Sequence, residues 1–199
     1  KQLKDVTNGL LRNNAEALAR TGQAHFAGTA REAMAQQNMD VLMYRVFTAT
    51  FDNRTTLQCR ANNGKKFKID DDKYPHLPLH WNERSVYVYT VDEEDLSGTR
   101  SSVGGNEADK INPNRKLKYR GKKDTDIFSP GQIDVGISQT EWLKAQPDWF
   151  QESALGEKRA KLLRDGGLSV ERFVDMLGKP IPLTELKRLD AEAFKRAGL

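Results

Sequence analysis

The chain has 199 residues and a formal charge of +4, and its length suits one compact domain with extensions. Hydrophobic residues make up 37%, below the roughly 45–50% of an ordinary globular chain, so much of the sequence is surface or partner-facing. The single cysteine, Cys59, excludes an intrachain disulfide framework and a multi-cysteine zinc site. No membrane-spanning apolar run or signal peptide is visible, and we expect that the natural protein can extend upstream of Lys1.

The first forty residues predict a helix that is held more by packing than by propensity. Its two interior glycines, Gly22 and Gly28, each cost about 1 kcal/mol relative to alanine. Asn38 is the predicted stop. Apolar residues recur at three- and four-residue steps, at Ala15, Leu18, Ala19, Phe26, Ala30, Ala33 and Met34.

Three short segments then predict strands, because they are rich in β-branched and aromatic residues or alternate in polarity. They are Val41–Thr50, Lys65–Ile69 and Ser85–Val91. The turn signal Asn62-Asn63-Gly64 precedes the second of them, since Asn and Gly tolerate positive φ. A helix followed by three short strands predicts a small antiparallel α+β core over residues 1–105.

From Asp92 to Ile137 the composition becomes rich in Gly, Asn, Lys and Asp. Within it, Lys110–Lys123 carries seven basic residues and no acidic one. Structureless loops beyond about 12–15 residues are uncommon inside a compact domain. We therefore predict an extended basic arm or insertion over residues 106–137.

Helix signals return at Ser138 and predict a tail of three or four short helices over residues 138–199. Ser138 and Glu141 form a capping box, and Pro147 ends or interrupts the helix that they begin. Glu157–Arg164 predicts a short basic helix. Further caps are predicted at Ser169, for a helix running to Leu177, and at Thr184, for a helix over residues 185–197.

One enzymatic hypothesis rests on His80 and Asn82 beside a predicted hairpin, which is compatible with a metal-dependent nuclease that uses a carboxylate such as Glu83. Binding of a metal ion by Cys59, His76, His80 and Glu83 is a second possibility. The simpler interpretation, which we favour, makes Cys59 a buried apolar residue and His80 a hydrogen-bonded loop residue. We expect no catalytic residues, no metal and no cofactor.

The basic arm has three open interpretations: it contacts DNA, it contacts an acidic protein surface, or it is a solvated loop. Phosphate neutralisation by Lys and Arg does not depend on sequence, and an aromatic ring can stack on a base. The predicted contact residues are Lys110, Arg115, Lys116, Lys118, Tyr119, Arg120, Lys122 and Lys123.

Two sequence runs, FDNRTTLQCRANNGKKFKI and PLHWNERS, resemble the signature of the Mu F-like head morphogenesis proteins of bacteriophages. The resemblance covers about residues 15–105 and 138–190, the latter through a stretch beginning TEWLKAQP. It departs from the pattern at Glu83, where the family has a second cysteine. The positions taken as the structural signature are Asp52, Arg54, Thr55, Cys59, Arg60, Gly64, His80, Asn82 and Arg84.

The resemblance implies a minor, non-enzymatic virion protein that is incorporated during head assembly. It implies a location inside the head near the portal vertex after synthesis in the host cytoplasm, with ejection alongside the DNA as a further expectation. The implied partners are the portal protein, the major capsid protein and packaged double-stranded DNA, without a membrane while the protein is in the head. Several copies per virion are expected. The alternatives from other classes are an HNH-like metal-dependent nuclease and a non-specific DNA-binding module.

Overall fold

The computed structural model describes residues 2–92, 96–105 and 128–199, with the side chains of residues 2–6 and 129 left aside. The chain forms two compact units. Unit 1 contains Lys1–Thr48 and Lys65–Glu94, and unit 2 contains Ala49–Gly64 and Asp95–Leu199. The predicted α+β class is confirmed. Residues 49–64 belong to unit 2, together with the C-terminal helices.

Unit 1 combines one long helix with a three-stranded antiparallel sheet. Helix α1 spans Gln2–Gln36, and the strands are β1 (Tyr44–Thr48), β2 (Lys66–Lys68) and β3 (Val86–Thr90). The strand order is β2-β1-β3, so the first strand is central. The predicted helix and all three predicted strands are confirmed. The side chain of Asn38 donates to the Met34 carbonyl at 2.7 Å, just beyond the end of the helix.

The strand register decides which residues of unit 1 face α1. Arg45 pairs with Tyr89 and Phe47 pairs with Tyr87, so these four side chains share one face of the sheet. The Phe47 and Tyr87 rings meet edge to face at 5.6 Å. The Tyr89 hydroxyl donates to Glu32 of α1 at 3.0 Å, which fixes this face of the sheet against the helix.

Unit 2 consists mainly of short helices around a two-stranded sheet. The strands β4 (Thr99–Gly105) and β5 (Phe128–Asp134) are antiparallel, and Gly105 pairs with Phe128. No helix in the described ranges of either unit is long and apolar enough to span a membrane. The helices are α2 (Leu57–Asn62), α3 (Gln139–Lys144), α4 (Asp148–Leu155), α5 (Glu157–Arg164), a 3₁₀ helix (Val170–Phe173), α6 (Leu183–Leu189) and α7 (Ala191–Arg196).

A contiguous apolar core fills unit 2. Trp142 lies edge to face with Phe51 at 5.2 Å and with Phe150 at 5.5 Å, and Leu162 and Leu163 are completely buried. Aromatic pairs of this kind add to the stabilisation from buried area. At the end of β4 a Cβ atom on Gly105 would lie 2.9 Å from Phe150, so the close approach of the strand to α4 requires glycine.

Three features of unit 2 differ from the sequence-based expectation. Residues 128–134, which were predicted as part of the extended arm, form β5, and residues 99–105 form β4. The backbone pairing between these two strands outweighs the low strand propensity of their Gly and Ser residues. The short helix α2 was also missed. Its signal is Thr56, whose hydroxyl accepts from the Cys59 amide and caps the helix.

The predicted helix caps are confirmed at Ser138 and wrong at Ser169 and Thr184. Ser138 and Glu141 form the complete capping box, and α4 begins after Pro147 as expected. After Ser169 only a 3₁₀ turn forms, without a side-chain cap, because Val174 becomes extended. The last predicted helix begins at Leu183 and breaks at Asp190, whose carboxylate accepts from the Ala193 amide and starts α7 instead.

Candidate functional site

The signature residues are divided between the two units. Asp52, Arg54, Thr55, Cys59, Arg60 and Gly64 belong to unit 2, and His80, Asn82 and Arg84 belong to unit 1. We therefore describe two clusters. The unit 2 signature cluster comprises residues 52–64, and the unit 1 signature loop comprises residues 80–85.

In the unit 2 signature cluster, Asp52 shapes the chain by accepting hydrogen bonds from the backbone. Its Oδ1 accepts from the amides of Arg54 at 2.9 Å and Thr55 at 3.0 Å. The Thr55 hydroxyl lies 2.8 Å from the Thr50 carbonyl and closes the same turn. Arg54 itself is exposed. The carboxylate of Asp52 is thus a turn-forming group, as in other Asx turns.

Arg60 is completely buried and connects this turn to helix α3. Its Nε donates to the Thr55 carbonyl at 3.0 Å, Nη2 donates to the Asp52 carbonyl, and Nη1 donates to Gln139 Oε1 at 2.7 Å. Gln139 in turn donates to the Thr50 carbonyl at 3.2 Å. The rigid fork of a guanidinium suits three acceptors in different directions. Arg60 therefore fixes α3 to the signature turn.

Two further signature residues in this cluster have local structural roles. Cys59 is buried within α2, as the simpler interpretation expects. Gly64 has φ +82°, a left-handed conformation that glycine adopts without strain and that ends the turn predicted at Asn62-Asn63-Gly64. The neighbouring Asn63 accepts from the Ala49 amide at 3.0 Å and from Arg100 Nη1 at 3.3 Å.

The unit 1 signature loop is organised around Glu83, a buried carboxylate. Glu83 Oε2 lies 3.2 Å from His80 Nε2, and its Oε1 accepts from the amides of Arg84 at 3.0 Å and Ser85 at 2.8 Å. His80 Nδ1 lies 2.8 Å from the Trp81 carbonyl. Asn82 has φ +59°, and its backbone amide donates to the Thr21 hydroxyl of α1 at 2.9 Å. The loop is thereby fastened to the long helix.

This geometry bears on the two chemical hypotheses for His80. Both ring nitrogens of His80 face oxygen atoms of the protein, Nδ1 the Trp81 carbonyl and Nε2 the Glu83 carboxylate. Glu83 directs both carboxylate oxygens at protein groups.

Unit 1 also contains a polar cluster that the sequence analysis missed. Arg45 is buried and its Nη2 forms an ion pair with Glu32 Oε1 at 3.0 Å while donating to the Ile69 carbonyl at 2.8 Å. The guanidinium also lies 3.7 Å from the centre of the Tyr74 ring. The available signal was a charged residue at an inward position of an apolar strand, two residues before Phe47.

A cavity of about 370 Å³ adjoins this polar cluster in unit 1. It lies between α1, β3 and the loop of residues 74–78. Burial raises the pKa of the Tyr87 hydroxyl and of the Tyr89 hydroxyl, and the hydrogen bond to Glu32 adds to the effect at Tyr89. Arg84 of the signature loop lines the same cavity.

The basic contact residues predicted in the arm fall outside the described residues. The structure describes the residues on either side of that segment, Gly105 and Phe128, which are paired between β4 and β5. The predicted contact residues concerned are Lys110, Arg115, Lys116, Lys118, Tyr119, Arg120, Lys122 and Lys123.

Unit 2 presents two apolar side chains at the tip of a hydrogen-bonded turn, residues 175–179. Met176 is fully exposed and Leu177 is three-quarters exposed. Asp175 Oδ1 accepts from the amides of Leu177 at 2.9 Å and Lys179 at 2.8 Å, and the Asp175 amide donates to the Lys179 carbonyl at 2.9 Å. We call this feature the apolar tip.

Comparison with known proteins supports the resemblance found in the sequence. Residues 1–88 match the model of a family described as Phage Mu protein F like protein. The match covers all of α1 and the sheet up to Val88, and it includes every residue of both signature regions. Neither a curated protein nor a solved structure matches the chain. The family match indicates a structural protein related to the bacteriophage head.

Proposed function

We propose that this chain, which belongs to the phage Mu F-like family over residues 1–88, acts in head morphogenesis from the inside of the portal vertex. The family match is the observation that carries the proposal. The partners would be the portal protein, the major capsid protein, or both, with several copies of the chain in each virion. The protein would lie against packaged DNA and is a candidate for leaving the head with it.

The hydrogen bonds of the signature side chains support a structural role. Arg60 donates to two backbone carbonyls and to the Gln139 side chain, and Asp52 accepts from the backbone of the turn that precedes α2. Glu83 is turned inward toward His80 and two amides. Groups whose hydrogen bonds are used in this way hold a fold together. They favour a non-enzymatic protein whose function is binding.

The apolar tip supports docking through unit 2. Adjacent large apolar side chains that stay exposed add apolar area to the surface, and exposed apolar area is a feature of protein contact sites. The bonds from Asp175 hold the backbone beneath Met176 and Leu177, so little backbone freedom would be lost on binding. We expect these two side chains to enter an apolar pocket on a neighbouring head subunit.

The basic segment supports a separate contact with DNA. Lys110–Lys123 has seven basic residues and no acidic one. Because Gly105 and Phe128 are paired, the segment begins and ends at one place on unit 2. A segment anchored in this way can be replaced by a two-residue Asn-Gly turn without separating β4 from β5. The docking and DNA contributions can therefore be tested separately.

The first experiment is co-purification of the full chain with the portal protein of the phage from which it comes. The wild type and the variant that lacks residues 106–127 should both be retained, because the apolar tip is intact in both. The double variant Met176→Ser and Leu177→Ser should lose at least about tenfold in affinity, as expected when interface anchors are removed.

The matched control for the tip is Leu189→Ser, which changes a half-exposed leucine elsewhere on unit 2. Full retention of the tip variant would show that docking does not use the tip. Absence of portal binding by the wild type, together with its absence from purified heads, would overturn the proposed location. Presence in heads without portal binding would redirect the docking proposal to the capsid shell.

The DNA contact is tested with the variant in which the seven basic residues of the segment are changed to glutamine. The wild type should bind duplex DNA with an affinity that falls steeply with salt, with about 0.9 in log–log slope for each phosphate neutralised. The glutamine variant should lose this slope and keep its portal binding. DNA binding that is insensitive both to salt and to the glutamine changes would show that the basic segment does not make the contact, and absence of DNA binding would remove DNA from the proposed partners.

A further inference from the structure

The cavity in unit 1 is large enough to hold side chains of another molecule. Its volume of about 370 Å³ lies within the roughly 300–1,000 Å³ of common ligand sites. We propose that it binds the apolar side chains of an acidic peptide segment of a partner protein. The inference rests on the proposed function of the chain as a docking protein, and it names the chemistry of one partner segment.

The walls of the cavity suit an apolar anchor. On the helix side they are formed by small residues such as Ala24 and Gly28, which leave room that larger residues would fill. The opposite wall contains the rings of Tyr74, Tyr87 and Tyr89. Aromatic rings facing a surface of small residues can hold an aliphatic or aromatic side chain on both sides.

The aromatic wall is fixed before any ligand arrives. The Tyr87 hydroxyl donates to the Pro75 carbonyl at 2.6 Å, and the Tyr89 hydroxyl donates to Glu32 at 3.0 Å. The guanidinium of Arg45 stacks on Tyr74 while its Nη1 donates to the Asp71 carbonyl at 3.0 Å. Side chains held in this way lose little rotamer freedom on binding, which favours affinity.

The charges around the cavity favour an acidic partner. Two arginines that line it, Arg31 and Arg84, are exposed. The two carboxylates in its lining are turned toward protein groups, Glu32 toward Arg45 and Tyr89, and Glu83 toward His80 and the backbone. The positive charge at the rim therefore complements carboxylates that flank an apolar anchor.

The experiment is calorimetric titration of the full chain with two synthetic peptides. The first is acetyl-Asp-Glu-Leu-Phe-Glu-Asp-amide, and the second has serine in place of its Leu and Phe. We expect the first to bind and the second to bind at least about tenfold more weakly, because the cavity would be left without its anchor. Equal binding of the two peptides would overturn the proposal.

Gly28 provides a variant that fills the cavity from the protein side. A Cβ atom at Gly28 meets no atom within 4 Å, so Gly28→Leu can place its side chain in the cavity without displacing the backbone. The matched control is Gly22→Leu, since Gly22 lies on the same helix, is equally open and stands outside the cavity lining. Both changes also raise helix propensity.

We expect Gly28→Leu to weaken binding of the first peptide at least about tenfold and Gly22→Leu to leave it unchanged. The double variant Arg31→Gln and Arg84→Gln should bind more weakly in low salt and should reduce the salt dependence. Unchanged binding by Gly28→Leu, with circular dichroism showing a folded chain, would overturn the proposal. Binding of N-acetylphenylalanine as tight as that of the peptide would replace it with a small-molecule site.

The same variants separate this inference from the proposed function. A chain that enters heads and binds no acidic peptide would contradict the cavity inference while leaving the head assignment intact. A chain that binds the peptide through the cavity and is absent from heads would contradict the head assignment alone. Incorporation into heads is therefore measured for the wild type and for Gly28→Leu in parallel.

Discussion

The two units are stabilised in different ways. Unit 2 has a contiguous core built mainly from aromatic and leucine side chains of the short helices, with Phe51 and side chains of β5 packed against them. Unit 1 has few buried apolar residues and relies on the polar cluster of Arg45, Glu32 and Tyr89 beside a cavity. A filled core mainly provides stability, whereas a cavity whose walls are held in place by hydrogen bonds provides a place for a ligand. The apolar core is thus the main feature of unit 2, and the ligand-sized cavity is the main feature of unit 1.

The largest expected effect is the loss of an aromatic ring from the core of unit 2. Phe150 is completely buried and contacts the rings of Trp142 and Trp149. Phe150→Ala should lower the free energy of unfolding by about 3–5 kcal/mol, because it removes buried apolar area and leaves a cavity. Urea unfolding followed by the methyl NMR signals of Leu162 would measure the change.

The control for this prediction is Phe26→Ala, which removes a mostly exposed ring from α1. Its effect should stay within about 0.5 kcal/mol. A cost of less than about 1 kcal/mol for Phe150→Ala would mean that unit 2 repacks easily and would remove the contrast between the units.

The next largest effect is expected at the buried arginine of the signature. Arg60→Ala leaves two carbonyls and the Gln139 side chain without their donor, and it should lower the free energy of unfolding by about 3 kcal/mol. The exposed neighbour Arg54 offers a matched control, and Arg54→Ala should change stability by no more than about 0.5 kcal/mol. Equal effects of the two changes in urea unfolding would refute the structural role of Arg60.

Raising the pH should destabilise unit 1 more than unit 2. Four of the five tyrosines belong to unit 1, and the fifth, Tyr119, lies outside the described residues. Burial raises the pKa of the hydroxyls of Tyr87 and Tyr89 above the usual value near 10. Above pH 10 the unfolded chain therefore loses tyrosine protons that the folded chain keeps. The stabilisation is complete below pH 10 and falls as the pH rises.

The free energy of unfolding should fall by at most about 1 kcal/mol per pH unit for each tyrosine, because solvent screens part of the effect. Urea unfolding between pH 9 and pH 12, followed by the methyl signals of Val46 in unit 1 and Leu162 in unit 2, would measure it. As the pH rises, the unfolding midpoint reported by the Val46 signal should shift to lower urea concentration before the midpoint reported by the Leu162 signal does. Tyr87→Phe should flatten its pH dependence, and an unaltered dependence would contradict the assignment.

The sequence predicted the regular parts of the fold and missed the parts that depend on partners distant in the chain. Alternation in residues 85–91 and the spacing in α1 are local signals, and both elements formed as predicted. β4 and β5 have weak local signals and exist because each pairs with the other across 22 intervening residues, 106–127. Arg60 was recognised as a signature position, but its contact with Gln139 depends on residues 79 positions apart.

The same distinction explains why the cavity was not anticipated. It is formed by α1, β3 and residues 74–78, each of which is unremarkable in sequence. The pairing of Glu32 with Arg45 brings these segments together, and only the inward position of Arg45 in a strand indicated it. Side-chain chemistry along a single segment predicts elements, whereas cavities come from the way those elements pack.

The smallest effect we predict concerns a purely local signal, the capping box of α3. The Ser138 hydroxyl accepts from the Glu141 amide at 3.1 Å, and the Ser138 amide donates back to the Glu141 carboxylate at 3.0 Å. The Ser138 hydroxyl also donates to Glu141 Oε2 at 2.7 Å, and this bond, with the one from the Ser138 amide, lowers the pKa of the Glu141 carboxyl. Ser138→Ala should lower the free energy of unfolding of unit 2 by about 1 kcal/mol. Ser138→Asp should keep most of the stabilisation, because Asp also caps helices well.

Because α3 carries both Gln139 and Trp142, this variant also tests how a local cap supports the contact with Arg60. If the cap positions Gln139, then Ser138→Ala and Arg60→Ala together should cost less than the sum of their separate effects in urea unfolding. Additive effects would show that the core residue Trp142 positions α3 without the cap. In that case the Ser138 cap and the Arg60 contact would stabilise unit 2 independently of each other.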